Sequence, residues 1–338
     1  MTAAALSDIL SSARVVALPL RTRFRGITVR EAVLFEGPEG WTEFSPFVEY
    51  DDAEAAAWLA AAVDFAWAPT PAPLRTSVWV NATVPAVEAD RVADVLDRFP
   101  GCRTAKVKVA EPGGTIAEDA ARVAAVRRYL GPEGRIRVDA NGLWNVDEAE
   151  HAVHAFADCD LEYIEQPCAS VAELAELRRR IKYMGVPVAA DESVRKVADP
   201  LAVARAGAVD VLVLKVQPLG GIRSALRIAT EAGLPVVVSS ALESSVGISM
   251  GTFLAGALPE LEYDCGLATV SLFEADVTAE PLVPRDGMLP VSRVAPDPAL
   301  LAAHEASADR REWWLERVGR CHALLSGGVA GTHYSDDR

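Results

Sequence analysis

Four short apolar runs in the middle of the chain each end in a residue that can hold a metal or move a proton, at nearly constant spacing. Residues 135–138 run into Asp139, 161–164 into Glu165, 186–190 into Asp191 and 210–214 into Lys215. The intervals between these end residues are 26, 26 and 24. One strand, one crossover helix and two short connections consume about that length, so the four residues occupy equivalent points of successive βα units. If the parallel strands close into a barrel, their carboxyl ends share one mouth, where the catalytic groups of such barrels collect. Three carboxylates and a lysine would then converge on one rim.

An acidic residue after a strand is often only the cap of the next helix. Capping explains one such residue more readily than three at near-equal spacing, each closing an apolar run. A metal site is therefore the stronger reading of Asp139, Glu165 and Asp191. Carboxylates suit a hard divalent cation, and Mg2+, with Mn2+ as an alternative, fits better than zinc because no His or Cys stands at the matching strand ends.

Upstream, residues 104–109 form another apolar run that carries Lys106 and Lys108. Two apart in a strand, they share a face. On an exposed strand this would be a plain polar face. Inside a barrel covered by helices, both ammonium groups would enter the mouth and offset the carboxylates. Gly113, Gly114 and the amphipathic segment 116–130 complete a βα unit and favour the barrel reading, with Lys108 reaching furthest into the mouth.

The flanks fill in the architecture. Residues 13–49 read as an antiparallel meander, and 53–67 as a helix stopped by Pro69, Pro71 and Pro73. Residues 77–83 are expected to form the first barrel strand and 261–264 the last. Residues 234–240 form a strand ending in Ser239 and Ser240, whose ordinary role would be to cap a helix over 241–258. Residues 281–298 read as irregular and lead to a helix over 309–325. The expected fold is α/β, a modified TIM (β/α) barrel with an N-terminal α+β capping domain. Its divisions are 1–80 for the cap, with 281–326 returning to it, 81–280 for the barrel, and 327–338 as a disordered tail.

A net charge of −15 argues against nucleic acid or an anionic membrane as partner, and the Arg and Lys residues are scattered rather than striped. Cys102, Cys159, Cys168, Cys265 and Cys321 are odd in number and show no C-x-x-C spacing, which disfavours a disulfide framework and implies a reducing cytoplasm. The N-terminal stretch carries Asp8 and does not read as a secretory signal, and the Ala-rich run 53–68 is broken by Asp64, so it does not read as a membrane span. A small-molecule enzyme, monomeric or a small homo-oligomer, is the class that remains.

Lys106-Val107-Lys108, Val138-Asp139-Ala140-Asn141, Glu165-Gln166-Pro167, Asp191-Glu192-Ser193 and Lys215, in that order, resemble the enolase superfamily and, within it, the muconate-lactonizing subgroup. The resemblance spans nearly the whole chain. It implies that Asp139, Glu165 and Asp191 bind magnesium, that Lys108 and Lys215 face each other across a small carboxylate substrate, and that Lys106 and Asn141 support them. It also implies that the basic turn 21–26 is a mobile lid. The chemistry implied is removal of a proton beside a carboxylate, with the metal stabilising the enediolate. Residues 239–247 resemble a branch that dehydrates 2-succinyl-6-hydroxy-2,4-cyclohexadiene-1-carboxylate in menaquinone biosynthesis, which makes Ser239 and Ser240 candidate substrate contacts. The alternatives are an N-succinylamino acid racemase, epimerase or cycloisomerase of the same superfamily, and a barrel that binds without catalysis. The last would be expected to have lost one of the five site residues, and none is missing.

Overall fold

The computed structural model describes residues 4–196 and 199–327. After a short helix, α1 (Leu6–Ser12), the chain forms an antiparallel sheet of β1 (Arg14–Phe24), β2 (Ile27–Gly37) and β3 (Gly40–Phe44). The β1–β2 turn is made by Arg25 and Gly26, both at positive φ. Helix α2 (Asp52–Trp67) begins where the Asp51 side chain accepts the Glu54 N–H at 2.8 Å, a standard N-cap. It buries Ala55, Leu59, Ala62 and Phe65 and packs on β3, with the Phe65 ring edge-on to Phe253 of the barrel domain at 5.8 Å. A Cβ at Gly37 would lie 2.5 Å from the Ala66 carbonyl, so glycine is required there.

The chain crosses through β4 (Ser77–Trp79) to seven parallel strands in sequential order: β5 (Ala82–Val84), β6 (Thr104–Lys108), β7 (Arg135–Asp139), β8 (Leu161–Glu165), β9 (Val188–Ala190), β10 (Val211–Leu214) and β11 (Val236–Val238). The helices around them are α3 (Val92–Leu96), α4 (Ile116–Leu130), α5 (Val146–Ala155), α6 (Val171–Ile181), α7 (Glu192–Arg195), α8 (Ala202–Arg205), α9 (Ile222–Ala232) and α10 (Ser245–Ala257). The ring closes through parallel bridges, Ser239 to Gly266 and Cys265 to Val80.

Three expectations about this region need correction. The run 77–83 is split: β4 pairs antiparallel with β12 (Met288–Pro290) outside the barrel, and the barrel stave starts after it. The closing stave is Cys265 and Gly266 rather than 261–264, because only these two residues reach both neighbours. The helix expected over 241–258 begins at Ser245, and residues 240–244 are a loop.

The structure also separates helix capping from the strand-end acids. Helices α4, α5 and α6 are started by capping boxes of Thr115 with Glu118, Asn145 with Glu148 and Ser170 with Glu173. Asp191 precedes α7 yet makes no side-chain cap bond. The rim carboxylates are therefore free of that duty.

After the barrel, α11 (Pro298–Ala303) leads to α12 (Ala308–Gly327), which packs on α2. Its buried Arg317 donates to the carbonyls of Phe47 and Tyr50. The five cysteines are free thiols. The expected tail, 327–338, lies outside the described residues except for Gly327, which ends α12. Among the described residues no helix is long and apolar enough to cross a membrane.

Candidate active site

Alternation along β6 turns Lys106 and Lys108 into the barrel while Ala105 and Val107 pack outward. The parallel register aligns Lys108 with Asp139 and Asp139 with Glu165. Lys106 Nζ donates to both Glu165 oxygens, at 2.9 and 3.1 Å, and lies 3.4 Å from Asp139 Oδ2. Lys108 Nζ donates to Asp139 Oδ2 at 2.6 Å and to Asn141 Oδ1. From the facing stave, Lys215 Nζ donates to Asp191 Oδ2 at 2.6 Å. All six charged groups are buried. The structure thus brings together Lys106, Lys108, Asp139, Asn141, Glu165, Asp191 and Lys215.

Burial opposes charge on Lys106, Asp139, Glu165, Asp191 and Lys215, and their neighbours decide the outcome. Asp139 is held well below the usual carboxylate range, against burial, by Lys108 and Lys106. Asp191 is held low, against burial, by Arg195 and Lys215. Burial and the adjacent Asp139 charge push Glu165 up to about 7, with Asp191 adding to the effect. Lys106 stays above its ordinary value, against burial, because of Glu165 and Asp139. Lys215 is lowered, chiefly by burial, with Arg195 and Lys106 contributing against the pull of Asp191.

Both domains wall the cavity above these groups. The barrel supplies Thr83, Thr269, Gly266 and residues 239–242, while the cap supplies Phe24, Arg25 and Phe47. Ser239 and Ser240 line it, but neither caps a helix. Ser240 Oγ donates to the Gly266 carbonyl at 2.7 Å and pairs with Thr269 Oγ1 at 2.9 Å, while α10 is capped by Ser244, whose Oγ accepts the Val246 N–H at 3.2 Å. The basic turn reaches the mouth. Arg25 stacks 4.3 Å from the Phe47 ring and donates to the Tyr50 hydroxyl at 3.3 Å, and the Phe24 ring lies 5.6 Å from Lys108 Nζ.

Sequence reading missed several residues that complete the site. Arg195 donates from Nε to Asp191 Oδ1 at 2.8 Å and from Nη2 to Glu192 Oε1 at 2.7 Å, and Asn141 Nδ2 donates to Glu192 at 3.1 Å. The four-residue step from Asp191 to Arg195 on a helix was a usable signal. Gln166 had none. Its Oε1 accepts the N–H groups of Asp191 and Ser193 at 3.0 and 3.1 Å, fixing the backbone that carries the acid. The aromatic wall of Phe24 and Phe47 depends on docking of the cap.

Two family models match most of the chain: residues 15–66 match an enolase N-terminal domain-like model and 88–296 an enolase C-terminal domain-like model. The o-succinylbenzoate synthase of Mycolicibacterium smegmatis is 59% identical over 322 residues, covering 95% of this chain and 98% of that protein. The enzyme of the same name from Mycobacterium ulcerans is 58% identical over 323 residues, covering 95% and 97%. The chain belongs to the o-succinylbenzoate synthase family of the enolase superfamily. Among solved structures, muconate lactonizing enzyme from Pseudomonas putida superposes with a TM-score of 0.72 at 21% identity, over 87% of this chain and 98% of that one. The L-Ala-D/L-Glu epimerase from Bacillus subtilis does so with 0.71 at 21%, over 84% and 98%. These two establish the shared fold of a capping domain on a modified barrel.

Enolase-superfamily enzymes generally work with a divalent metal. As placed, no three acidic, histidine or cysteine side chains among the described residues stand close enough to share an ion, because lysine ammonium groups fill the space between the carboxylates. The donor chemistry fits a hard cation all the same. Three buried carboxylates end adjacent staves, and Glu165 carries the strain of two neighbouring negative charges that a dication would relieve.

Proposed function

We propose that this enzyme dehydrates 2-succinyl-6-hydroxy-2,4-cyclohexadiene-1-carboxylate with Lys108 as base, Lys215 as the opposing cation, and Asp139, Glu165 and Asp191 as the holders of Mg2+. The observation that carries the reading is the placement of two buried lysines on opposite staves, each against a different rim carboxylate. When bound, the metal supplies positive charge to the substrate carboxylate and so favours its doubly charged enediolate form.

Lys108 as the neutral amine takes the proton beside the carboxylate, and the electron pair of that C–H bond passes into the enediolate. Lys215 lies across the cavity, where its charge stabilises the developing negative charge. The electron pair then forms the new ring double bond and expels the hydroxyl from the neighbouring carbon. The proton held by Lys108 leaves with it as water, so the lysine is regenerated and the ring becomes aromatic. Lys106 and Asn141 hold Glu165 and the Lys108 ammonium in register. Ser239 and Ser240 and the apolar cap wall contact the substrate and keep water out.

We assign the enzyme to the cytoplasm, as a monomer or small homo-oligomer acting on a small carboxylate. We divide it into a cap of 1–80 with 281–326 returning to it and a barrel of 81–280. Turnover is expected to stop on chelation and return with magnesium, and Asp191→Asn should lose metal affinity while keeping its fold. Full activity in chelator would remove the metal assignment, and absence of dehydration by the magnesium-supplied wild type would remove the reaction.

A further inference from the structure

We infer that Arg122 and Asp119, on the inner face of α4, are positioning residues that aim Lys108. The inference rests on the proposed role of Lys108 as base. Strand β5 pairs with β6 only as far as Val84 opposite Val107, so the ladder stops one residue before Lys108 on that side. The main-chain groups around the lysine need other partners, since a buried carbonyl or N–H left alone is costly.

The α4 pair supplies them. Arg122 Nη1 donates to the Lys108 carbonyl at 3.0 Å, and Arg122 Nε donates to the Val87 carbonyl at 2.5 Å, which ties the segment after β5 to the end of β6. Asp119 Oδ2 accepts the Ala110 N–H at 2.8 Å, while Asp119 Oδ1 accepts from Arg122 Nη1 at 2.6 Å. Both residues are buried, Asp119 4% and Arg122 6% exposed, and neither lines the substrate cavity.

The held segment is one the chain would not choose unaided. Ala110 stands at φ 62, in the left-handed region that a residue with a Cβ rarely occupies. Clamped at the carbonyl of 108 and the N–H of 110, the backbone fixes the direction in which the Lys108 side chain leaves the strand. That direction delivers Nζ between Asp139 and Asn141. A base must meet its proton within hydrogen-bond reach, so a small swing of the strand end removes rate without removing binding.

The test is Arg122→Met, with Arg122→Lys and Asp119→Asn beside it. Arg122→Met is expected to lower kcat about 100-fold, the loss that about 1 Å of misplacement brings, with KM changed less than about threefold. Arg122→Lys keeps a cation against Asp119 but loses the fork that spans two carbonyls, and it should recover part of kcat. Asp119→Asn leaves one acceptor for two donors and should act in the same direction, which keeps the inference open to test if Arg122→Met does not fold. Amide exchange across 108–110, followed by mass spectrometry on substrate-free protein, should accelerate in the variants. A folded Arg122→Met enzyme with wild-type kcat, or a loss carried by KM alone, overturns the inference, as does unchanged exchange. A wild type that fails to dehydrate the cyclohexadiene overturns the functional reading instead, and the exchange result still decides whether the clamp exists.

Discussion

Lys108 and Lys106 sit two residues apart on one face and share Asp139, yet their other partners differ. Lys106 is held between Glu165 and Asp139, whereas Lys108 bridges Asp139 and Asn141 nearer the mouth, with the Phe24 ring beside it. Lys108→Ala should therefore lower kcat by about 10³-fold or more, the upper range for loss of a general base, and Lys106→Ala should cost less. Equal and mild losses would mean that neither lysine meets the proton. Lys215 separates the two chemistries open to such a site. A racemase must return a proton to the opposite face and needs both lysines to exchange protons, while a syn dehydration needs one. Lys215→Arg keeps the charge but cannot transfer a proton near neutral pH, so some dehydration should survive it. N-succinylamino acids in deuterium oxide should exchange their alpha proton slowly or not at all, as followed by proton NMR. Fast exchange with negligible dehydration would move the assignment to the racemases.

At the scale of elements, the cap is fastened to the start of α10. Glu43, from β3, accepts the N–H groups of Ser244 and Gly247 at 3.1 Å each, and the Ser244 hydroxyl also donates to it. A carboxyl oxygen at a helix N-terminus satisfies donors that have no partner within the helix. Gly247 is required by this approach, since a Cβ there would lie 2.6 Å from Glu243 Cβ and 2.8 Å from Glu43 Oε2. Gly247→Ala is expected to destabilise the protein by about 1–3 kcal/mol, the usual cost of overpacking, measured by urea denaturation. A shift well under that range would show that the seam can open without loss.

Across the whole molecule, the cap and barrel meet over buried ionisable groups. Arg30 is 3% exposed and donates to the carbonyls of Ser45, Ala241 and Leu242, spanning both domains. Burial, with Glu243 beside it, pushes the Glu43 carboxyl up to about 7, and burial raises Glu243 as well. The native state thus binds a proton on Glu43, between the ordinary carboxylate value and about 7, that the unfolded chain has already released. This group's contribution to stability is fully present below the ordinary value and is lost as pH rises through about 7. Glu43→Gln should remove that slope, so the difference in unfolding free energy between wild type and variant changes across this window. A difference independent of pH would show that Glu43 does not titrate there.

Asp139, Glu165, Asp191 and Lys215 were legible in the sequence because a βα unit has a nearly fixed length, and whatever closes each strand must recur on the same rim. The shared face of Lys106 and Lys108 was legible because strand side chains alternate with a period of two. Both are local regularities that neighbouring residues encode. Tertiary structure alone decided the rest. The closing stave fell to Cys265 and Gly266, the pairing of Lys106 with Glu165 followed from register across two staves, and the cap wall of Phe24, Arg25 and Phe47 came from domain docking. The Arg30 contact with Leu242 joins residues 212 apart, and no local pattern marks either partner. Such contacts depend on how the ring closes and how the cap settles on it, which are properties of the packed whole.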